Sequence, residues 1–347
     1  MYLDEQIITY LGNKRKLLNI INTAVQPENK VCLDLFSGTG IVSRSFKEAG
    51  CKKIIANDLE YYSKITNLCY LTNISDFPQD YDYYRQEIDK VAPIKGFISE
   101  LYAPANSDNI LKDERCFFTT ENALILDTYL YGIFSIVPQE LHPYFIAPLL
   151  SQASIHSNTS GVFKGFYKNR QGIGQWGGQG RNALSRICGE IKLEKPILSS
   201  KECEIEVLQE NVYETNKVFK CDVAYLDPPY NQHPYGSNYF MLNLIAKNER
   251  PEKISKVSGI PTNWNRSLFN KSKEAKGALQ NTLSKIQANK IVISYNNEGF
   301  ITYDEMVELL SIYGDVYVLS EEYPTFRGCR NLSNRDVHTT EYLFCLM

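Results

Sequence analysis

Apolar residues fall in short blocks along this chain, each ended by small or polar residues, and no single run dominates. Lys30-Val-Cys-Leu-Asp-Leu-Phe36 has the apolar, β-branched character of a buried strand and breaks into Ser37-Gly38-Thr39-Gly40. Over residues 41–49 the apolar positions recur at helical spacing, and Gly50 follows as a C-cap residue. Lys53-Ile-Ile-Ala56 predicts the next strand, with Asn57-Asp58 after it. Strand, glycine turn, helix and strand make a βαβ unit, so the pattern predicts a parallel sheet with helical crossovers. Further strands are predicted at residues 205–208, 223–226, 291–294, 316–319 and 342–346, and a helix at 17–24.

Between residues 75 and 200 the pattern changes. A Tyr- and Asp-rich stretch at 76–84 is followed by helical periodicity at 122–137 and 144–152. The run Gly172-Ile-Gly-Gln-Trp-Gly-Gly-Gln-Gly180 comes next, flanked by Lys168, Arg170 and Arg181. Glycine at that density gives the backbone a freedom that a core element does not need. A loop that orders on a ligand and an exposed linker both fit it. No repeat of 20–50 residues is present. The division expected is a sheet-forming domain from residues 1–74 and 201–347, interrupted by a mostly helical insertion at 75–200.

Composition narrows the class. With 43% hydrophobic and 22% charged residues in 347, the chain can bury a core and is not of the disordered kind. Its apolar runs are too short to span a bilayer, and Met1-Tyr-Leu-Asp-Glu lacks the order of a signal peptide. Nine cysteines without a Cys-x-x-Cys or Cys/His cluster suggest reduced thiols in a cytoplasmic protein and no metal site. The net charge of −3 hides segregation. Lys164, Lys168, Arg170, Arg181 and Arg186 share a segment without Asp or Glu, and Arg250, Lys253, Lys256, Arg266, Lys271, Lys273 and Lys276 form a second basic run. Such faces can neutralise phosphates, and they also occur on ordinary soluble surfaces.

The candidate chemistry gathers where strands end. Asp227-Pro228-Pro229-Tyr230 follows the apolar run Val223-Ala224-Tyr225-Leu226. Two prolines cannot continue a ladder, so an acid and an aromatic are held rigidly at the carboxyl edge of a sheet, where open α/β folds bind ligands. A planar base can lie on Tyr230 while Asp227 and a prolyl carbonyl accept hydrogen bonds from its exocyclic amine, an arrangement that suits adenine. Asp34 to Gly40 places glycines between a strand and a helix, where a cofactor can approach the backbone. It is neither Gly-x-Gly-x-x-Gly nor a phosphate loop, which disfavours nicotinamide and nucleoside triphosphate sites. Asp58 can accept from ribose hydroxyls, or act as a helix N-cap. Near the amino end, Gly12 permits a tight turn, and Lys14 can pair with a carboxylate or serve a surface helix start.

Tyr10-Leu-Gly-Asn-Lys14, Leu33-Asp-Leu-Phe-Ser-Gly-Thr-Gly40, Asn57-Asp58 and Asp227-Pro-Pro-Tyr230 stand in an order that resembles the Dam-type, alpha-group adenine-N6 DNA methyltransferases, above all those of restriction–modification systems. The segment from Asn231 to Asn243, His156 to Lys164, Ser294 to Gly299, and Tyr323-x-Thr-Phe326-Arg327-Gly328 extend the resemblance over nearly the whole chain. The tetrapeptide with its flanks is its most specific part.

This resemblance implies a class I S-adenosylmethionine-dependent methyltransferase fold. That is a mainly parallel twisted sheet with an antiparallel carboxyl-terminal strand and helices on both faces, plus the helical insertion as target recognition region. It implies transfer of a methyl group from S-adenosylmethionine, leaving S-adenosylhomocysteine, to N6 of a flipped adenine in double-stranded DNA. Asp227, Pro228 and Tyr230 would be catalytic. Tyr10, Lys14, Asp34, Phe36, Gly38, Gly40, Asp58, Asn211 and Asp227 would bind the cofactor. Asn158, Lys164, Lys168, Arg170, Arg181, Tyr235 and Asn238 would contact DNA. A restriction endonuclease as functional counterpart, no membrane, a monomeric state and the cytoplasm complete the expectation. An N4-cytosine DNA methyltransferase, or an RNA or protein methyltransferase of the same fold, is the alternative. The DNA sequence recognised is not readable from the chain.

Overall fold

β1 (Val31–Asp34), β2 (Lys53–Asn57), β3 (Glu204–Leu208), β5 (Val223–Leu226), β7 (Lys290–Asn296), β8 (Val316–Pro324) and β9 (His338–Leu346) form one seven-stranded sheet in the order β3-β2-β1-β5-β7-β9-β8. β4 (Phe219–Lys220) and β6 (Ile286–Gln287) pair separately. The computed structural model describes every residue except Met1, Gln6, Gln179, Asn182 and residues 325–337. The Thr-Phe-Arg-Gly part of the segment after Tyr323 therefore lies outside the described residues.

Neighbours from β3 to β7 run parallel, and β9 runs antiparallel to both β7 and β8. This is the mainly parallel sheet with an antiparallel carboxyl-terminal strand that the class I methyltransferase fold requires. Val-Ala-Tyr-Leu of β5 is buried at all four positions, as expected for a parallel strand covered on both faces. Leu33, Ala224, Ile293 and Phe344 from the strands close a core with Leu279 and Leu309.

The chain divides into two units. The sheet unit comprises residues 13–67, 199–234 and 266–347. Its helices include α1 (Leu18–Val25), α2 (Ile41–Glu48), α11 (Ala275–Leu283) and α12 (Tyr303–Ser311), and α3 (Tyr61–Tyr70) starts in it. The predicted helix at 17–24 begins earlier, as a 3-10 turn at Lys14–Leu17 capped by the Asn13 side chain, which accepts from Arg15 N at 2.9 Å. β8 and β9 run well past the apolar residues that announced them. Their polar extensions pair with each other through Glu321↔Glu341 and Glu322↔Thr340, a hairpin pairing that leaves no hydrophobic signature.

The second unit comprises residues 1–12, 68–198 and 235–265 and is mostly helical. It holds α4 (Tyr81–Asp89), α5 (Phe97–Tyr102), α6 (Thr120–Ile136), α7 (His142–Ile155), α8 (Leu184–Ile187), α9 (Tyr235–Asn238) and α10 (Phe240–Lys247). Asp127 of α6 anchors the start of α5 by accepting from the Gly96, Ile98 and Ser99 amides at 2.8–3.1 Å. Among the described residues no helix is long and apolar enough to cross a membrane.

Candidate active site

The strand order reverses direction between β1 and β5, and ligands of open α/β sheets bind outside the carboxyl ends of strands at such a point. Asp34 closes β1 opposite Tyr225 of β5, so Asp227 leaves the sheet immediately beside it. Asp227 is a fifth exposed, and its Oδ1 lies 3.1 Å from Nζ of Lys14, which is 4% exposed. The same Nζ lies 2.9 Å from Oε1 of Glu341, a residue 1% exposed on β9. Burial and the neighbouring Glu341 push the Asp227 carboxyl up to about 6, with Lys14 pulling the other way. Burial works against the Lys14 ammonium, but its two carboxylates prevail and raise its pKa.

The glycine turn is fixed from several sides. Gly38 and Gly40 adopt φ of +51° and +75°, the left-handed region. Gly38 N donates to Asp58 Oδ2 at 2.8 Å, and Ser63 Oγ donates to Gly38 O at 2.6 Å. Asp58 also accepts from Glu60 N at 2.9 Å, next to the start of α3. A Cβ on Gly40 would come within 2.5 Å of Asn67 Oδ1. Asp34 Oδ2 accepts from Ser43 N and Ser43 Oγ, whereas Oδ1 is buried without a partner among the described residues. Burial, reinforced by Asp227 and Asp58, pushes Asp34 up to about 7. An unpartnered acceptor beside a turn closed to side chains makes a cradle suited to a small ligand that brings donors or positive charge.

Tyr230 stands half-buried beside Asp227, its ring edge-on to Tyr295 at 6.1 Å, with Lys14 Nζ 6.0 Å from its centroid. Its hydroxyl pairs with Asn296 of β7, and its carbonyl accepts from Phe300 N at 3.0 Å. Phe36 packs edge-on to Phe269 at 5.2 Å. Asn57 ties strand ends together. Its amide donates to Leu35 O and Glu210 O and accepts from Glu210 N at 2.8–3.2 Å, which fixes the backbone just before Asn211.

In the helical unit, Tyr10 stacks on Tyr235 at 5.0 Å and on Tyr239 at 4.7 Å, and those two rings stack on each other at 6.0 Å. Tyr239 OH accepts from Leu11 N, and Tyr235 OH donates to Leu11 O, so this stack is a fixed element. Lys164, Lys168, Arg170 and Arg181 are all exposed. Asn158 and Asn238 are buried instead. The Asn158 amide donates to Cys116 O and Gln175 O and accepts from Gly177 N, so it props the glycine-rich loop and presents nothing to solvent. Asn238 O accepts from Phe163 N at 2.7 Å. Arg186 is half-buried and donates to the carbonyls of Ile155, Ser157 and Thr159.

Glu341 and Ser43 are contributors that the sequence reading did not single out, and Asn57 and Asn296, quoted there only within motifs, take structural roles. Glu341 carried the one available signal, an acid followed by the apolar run Tyr342-Leu-Phe-Cys-Leu. Among the described residues no cluster of His, Cys, Asp or Glu has the arrangement of a metal site.

Comparison with known proteins gives the family. The model of the family described as D12 class N6 adenine-specific DNA methyltransferase matches residues 10–309. The type II methyltransferase M.NlaIII of Neisseria lactamica is 28% identical, over 98% of this chain and 99% of its own length. M.CviAII of Paramecium bursaria Chlorella virus 1 is 29% identical over 97% of both chains. M.FokI of Planomicrobium okeanokoites is 26% identical over 96% of this chain and 52% of its own.

Proposed function

Starting from its membership of the D12 class of N6 adenine-specific DNA methyltransferases, to which the chain belongs, we propose that methyl transfer takes place at the carboxyl edge around Asp227. The enzyme transfers a methyl group from S-adenosylmethionine to N6 of adenine in DNA. The observation that carries the site assignment is the adjacency of Asp34 and Asp227 at the reversal of strand order, with Lys14 bound to Asp227.

S-adenosylmethionine, when bound, supplies an electrophilic methyl group on a cationic sulfur. The residues present fit it. Asp34, with its unpartnered buried Oδ1, receives the methionyl ammonium. Gly38 and Gly40 leave the backbone open to close approach, and Phe36 offers an aromatic face to a cation. Asp58, at the end of β2, would meet the ribose hydroxyls, and Asn211 would serve the cofactor's adenine. Lys14 positions Asp227.

The adenine is extruded from the duplex and stacks on Tyr230, which returns about 1–3 kcal/mol of the unstacking cost. Asp227 and the Pro228 carbonyl accept from the exocyclic amine. This favours a tetrahedral nitrogen whose lone pair is released from the ring toward the methyl group. Pro228 and Pro229 fix the backbone so that acid, carbonyl and ring keep one geometry.

The helical unit acts as the recognition region; it takes in residues 235–265 and 1–12 besides the expected 75–200 insertion, and the sheet unit is the catalytic domain. Lys164, Lys168, Arg170 and Arg181 reach phosphates or base edges, and Tyr235 contributes an aromatic surface. Asn158 and Asn238 take part by holding this region's shape. The names of M.NlaIII and M.CviAII as type II methyltransferases support a protective role in a restriction–modification system, opposite an endonuclease. We place the enzyme in the cytoplasm, acting as a monomer on double-stranded DNA.

The test is tritiated methyl transfer to unmethylated DNA, with product nucleosides resolved by chromatography. Label is expected in N6-methyladenine. Asp227→Ala should lower turnover about 100-fold or more while leaving S-adenosylmethionine affinity within a few-fold. A variant that kept most of its rate would remove Asp227 from the chemistry.

A further inference from the structure

Glu341 is a carboxylate buried where a strand needs none. It lies inside β9, opposite Asn296 of β7 and Glu321 of β8, at 1% exposure. A charge in such a place is costly unless paired and hydrogen-bonded. Here every oxygen is served: Oε1 by Lys14 Nζ and Ser294 Oγ, Oε2 by Tyr323 OH at 3.1 Å. Lys14 thus serves two carboxylates, and the trio with Asp227 carries one negative charge more than positive. A simpler arrangement would leave Lys14 to Asp227 alone. Asp227 would then be fully neutralised and a poor acceptor.

We propose that Glu341 is a positioning residue for methyl transfer: by sharing Lys14 it keeps the ammonium on Oδ1 of Asp227 and leaves Oδ2 to the adenine amine. This inference rests on the assignment of Asp227 to the reaction. When N6 exchanges an N–H bond for the new N–C bond, the N6 proton leaves and the electron pair of the breaking C–S bond stays on sulfur. Asp227 takes up that proton and passes it to solvent, so its basicity matters as well as its position.

The groups that face Asp227 are Lys14, Glu341 and Asp34, with the phenols of Tyr225 and Tyr230 alongside. Glu341 is faced by Lys14 and Tyr323, and by Asp227 and the phenols of Tyr225 and Tyr230. Burial and Glu341 together hold Asp227 at about 6, against the pull of Lys14.

The experiment is the pH profile of the single-turnover rate at saturating DNA and S-adenosylmethionine, which keeps titration of Asp34 out through binding. In Glu341→Gln the acidic limb should move lower by about one pH unit, because Lys14 then belongs to Asp227 and the second charge is gone. S-adenosylmethionine affinity, read by calorimetry, should stay within about twofold. Ser294→Ala removes one donor from Glu341, draws Lys14 toward it, and should move the limb upward. It also provides the test if Glu341→Gln does not fold. A purely structural role lowers the rate at every pH and leaves the limb where it was, and that result would overturn the proposal. Asp227→Ala separates the two levels. If it is active, the site assignment fails. If it is inactive while the limb stays fixed in both other variants, only the role of Glu341 fails.

Discussion

Replacing Lys14 by methionine removes the ammonium and keeps most of the volume, leaving Asp227 and Glu341 without their shared cation. Both pairs are short, at 3.1 and 2.9 Å, and Lys14 and Glu341 are almost wholly buried. An exposed ion pair contributes about 0–1 kcal/mol, whereas stranding a buried charge costs about 3–5 kcal/mol. Asp227 is 20% exposed and water screens it in part, so the lower end, about 3 kcal/mol, is the expected loss at pH 8. With a denaturant slope of about 3 kcal/mol/M, the urea midpoint falls by about 1 M.

The pH dependence identifies the cause. Without Lys14 the folded-state pKa of Asp227, already raised by burial, moves further above the unfolded value, so its ionisation opposes folding increasingly as pH climbs through that interval. In that interval the folded variant binds more protons than the unfolded chain, and its stability falls by about 1.4 kcal/mol per pH unit for each proton so held. Below the unfolded carboxylate range Asp227 is neutral in both states. The deficit against wild type should therefore shrink from pH 8 toward pH 4.5. Urea unfolding followed by tyrosine fluorescence at four pH values measures it. A deficit under 1 kcal/mol, or one constant with pH, would refute the reasoning.

Gly40→Ala must accommodate φ of +75° and a Cβ 2.5 Å from Asn67 Oδ1, with the Asn67 amide held by Ser37 and Ser63. Stability should fall by about 1–3 kcal/mol, with weaker stabilisation by S-adenosylmethionine in a thermal shift series. Asn158→Ala removes three hydrogen bonds to Cys116, Gln175 and Gly177, a loss of about 3 kcal/mol, and hydrogen exchange at the Gly177 amide should accelerate while the sheet amides stay protected. Asp34, held at about 7, is about half protonated at neutral pH, and a cationic ligand on its free oxygen lowers that pKa. Binding of S-adenosylmethionine at pH 7 should then release up to about half a proton, seen as calorimetric heats that differ between phosphate and Tris buffers. Equal heats would exclude it.

The parts of the architecture that were legible in the sequence share one property: they are buried on both faces. Lys30 to Phe36 and Val223 to Leu226 announce β1 and β5 because a parallel strand under helices must be apolar throughout. The glycine turn and the acids at strand ends were legible because backbone constraints select those residue types. Illegible were contacts between segments far apart in the chain. Nothing near Glu341 signals Lys14, which lies more than 300 residues earlier, and nothing near Asn57 signals Glu210. Asn158 was misleading for the opposite reason. Its type and its basic neighbours suit a base contact, but burial beneath the glycine-rich loop directs its amide inward. Likewise, residues 235–265 cluster with residues 68–198, and no change of composition marks this.

The electrostatics of the carboxyl edge follow from the same topology. Parallel strands side by side deliver the residues that end them to one place, so Asp34, Asp58 and Asp227 crowd together because β1, β2 and β5 are neighbours. Burial raises all three. Lys14 answers only part of that charge, and Glu341 takes part of Lys14 away again. The edge is left with an unmet demand for positive charge that protonation can satisfy in the free protein. A ligand carrying an ammonium and a sulfonium meets that demand better than its neutral thioether product does. If these acids hold S-adenosylmethionine as proposed, they also favour its exchange for the product that has lost the sulfonium charge.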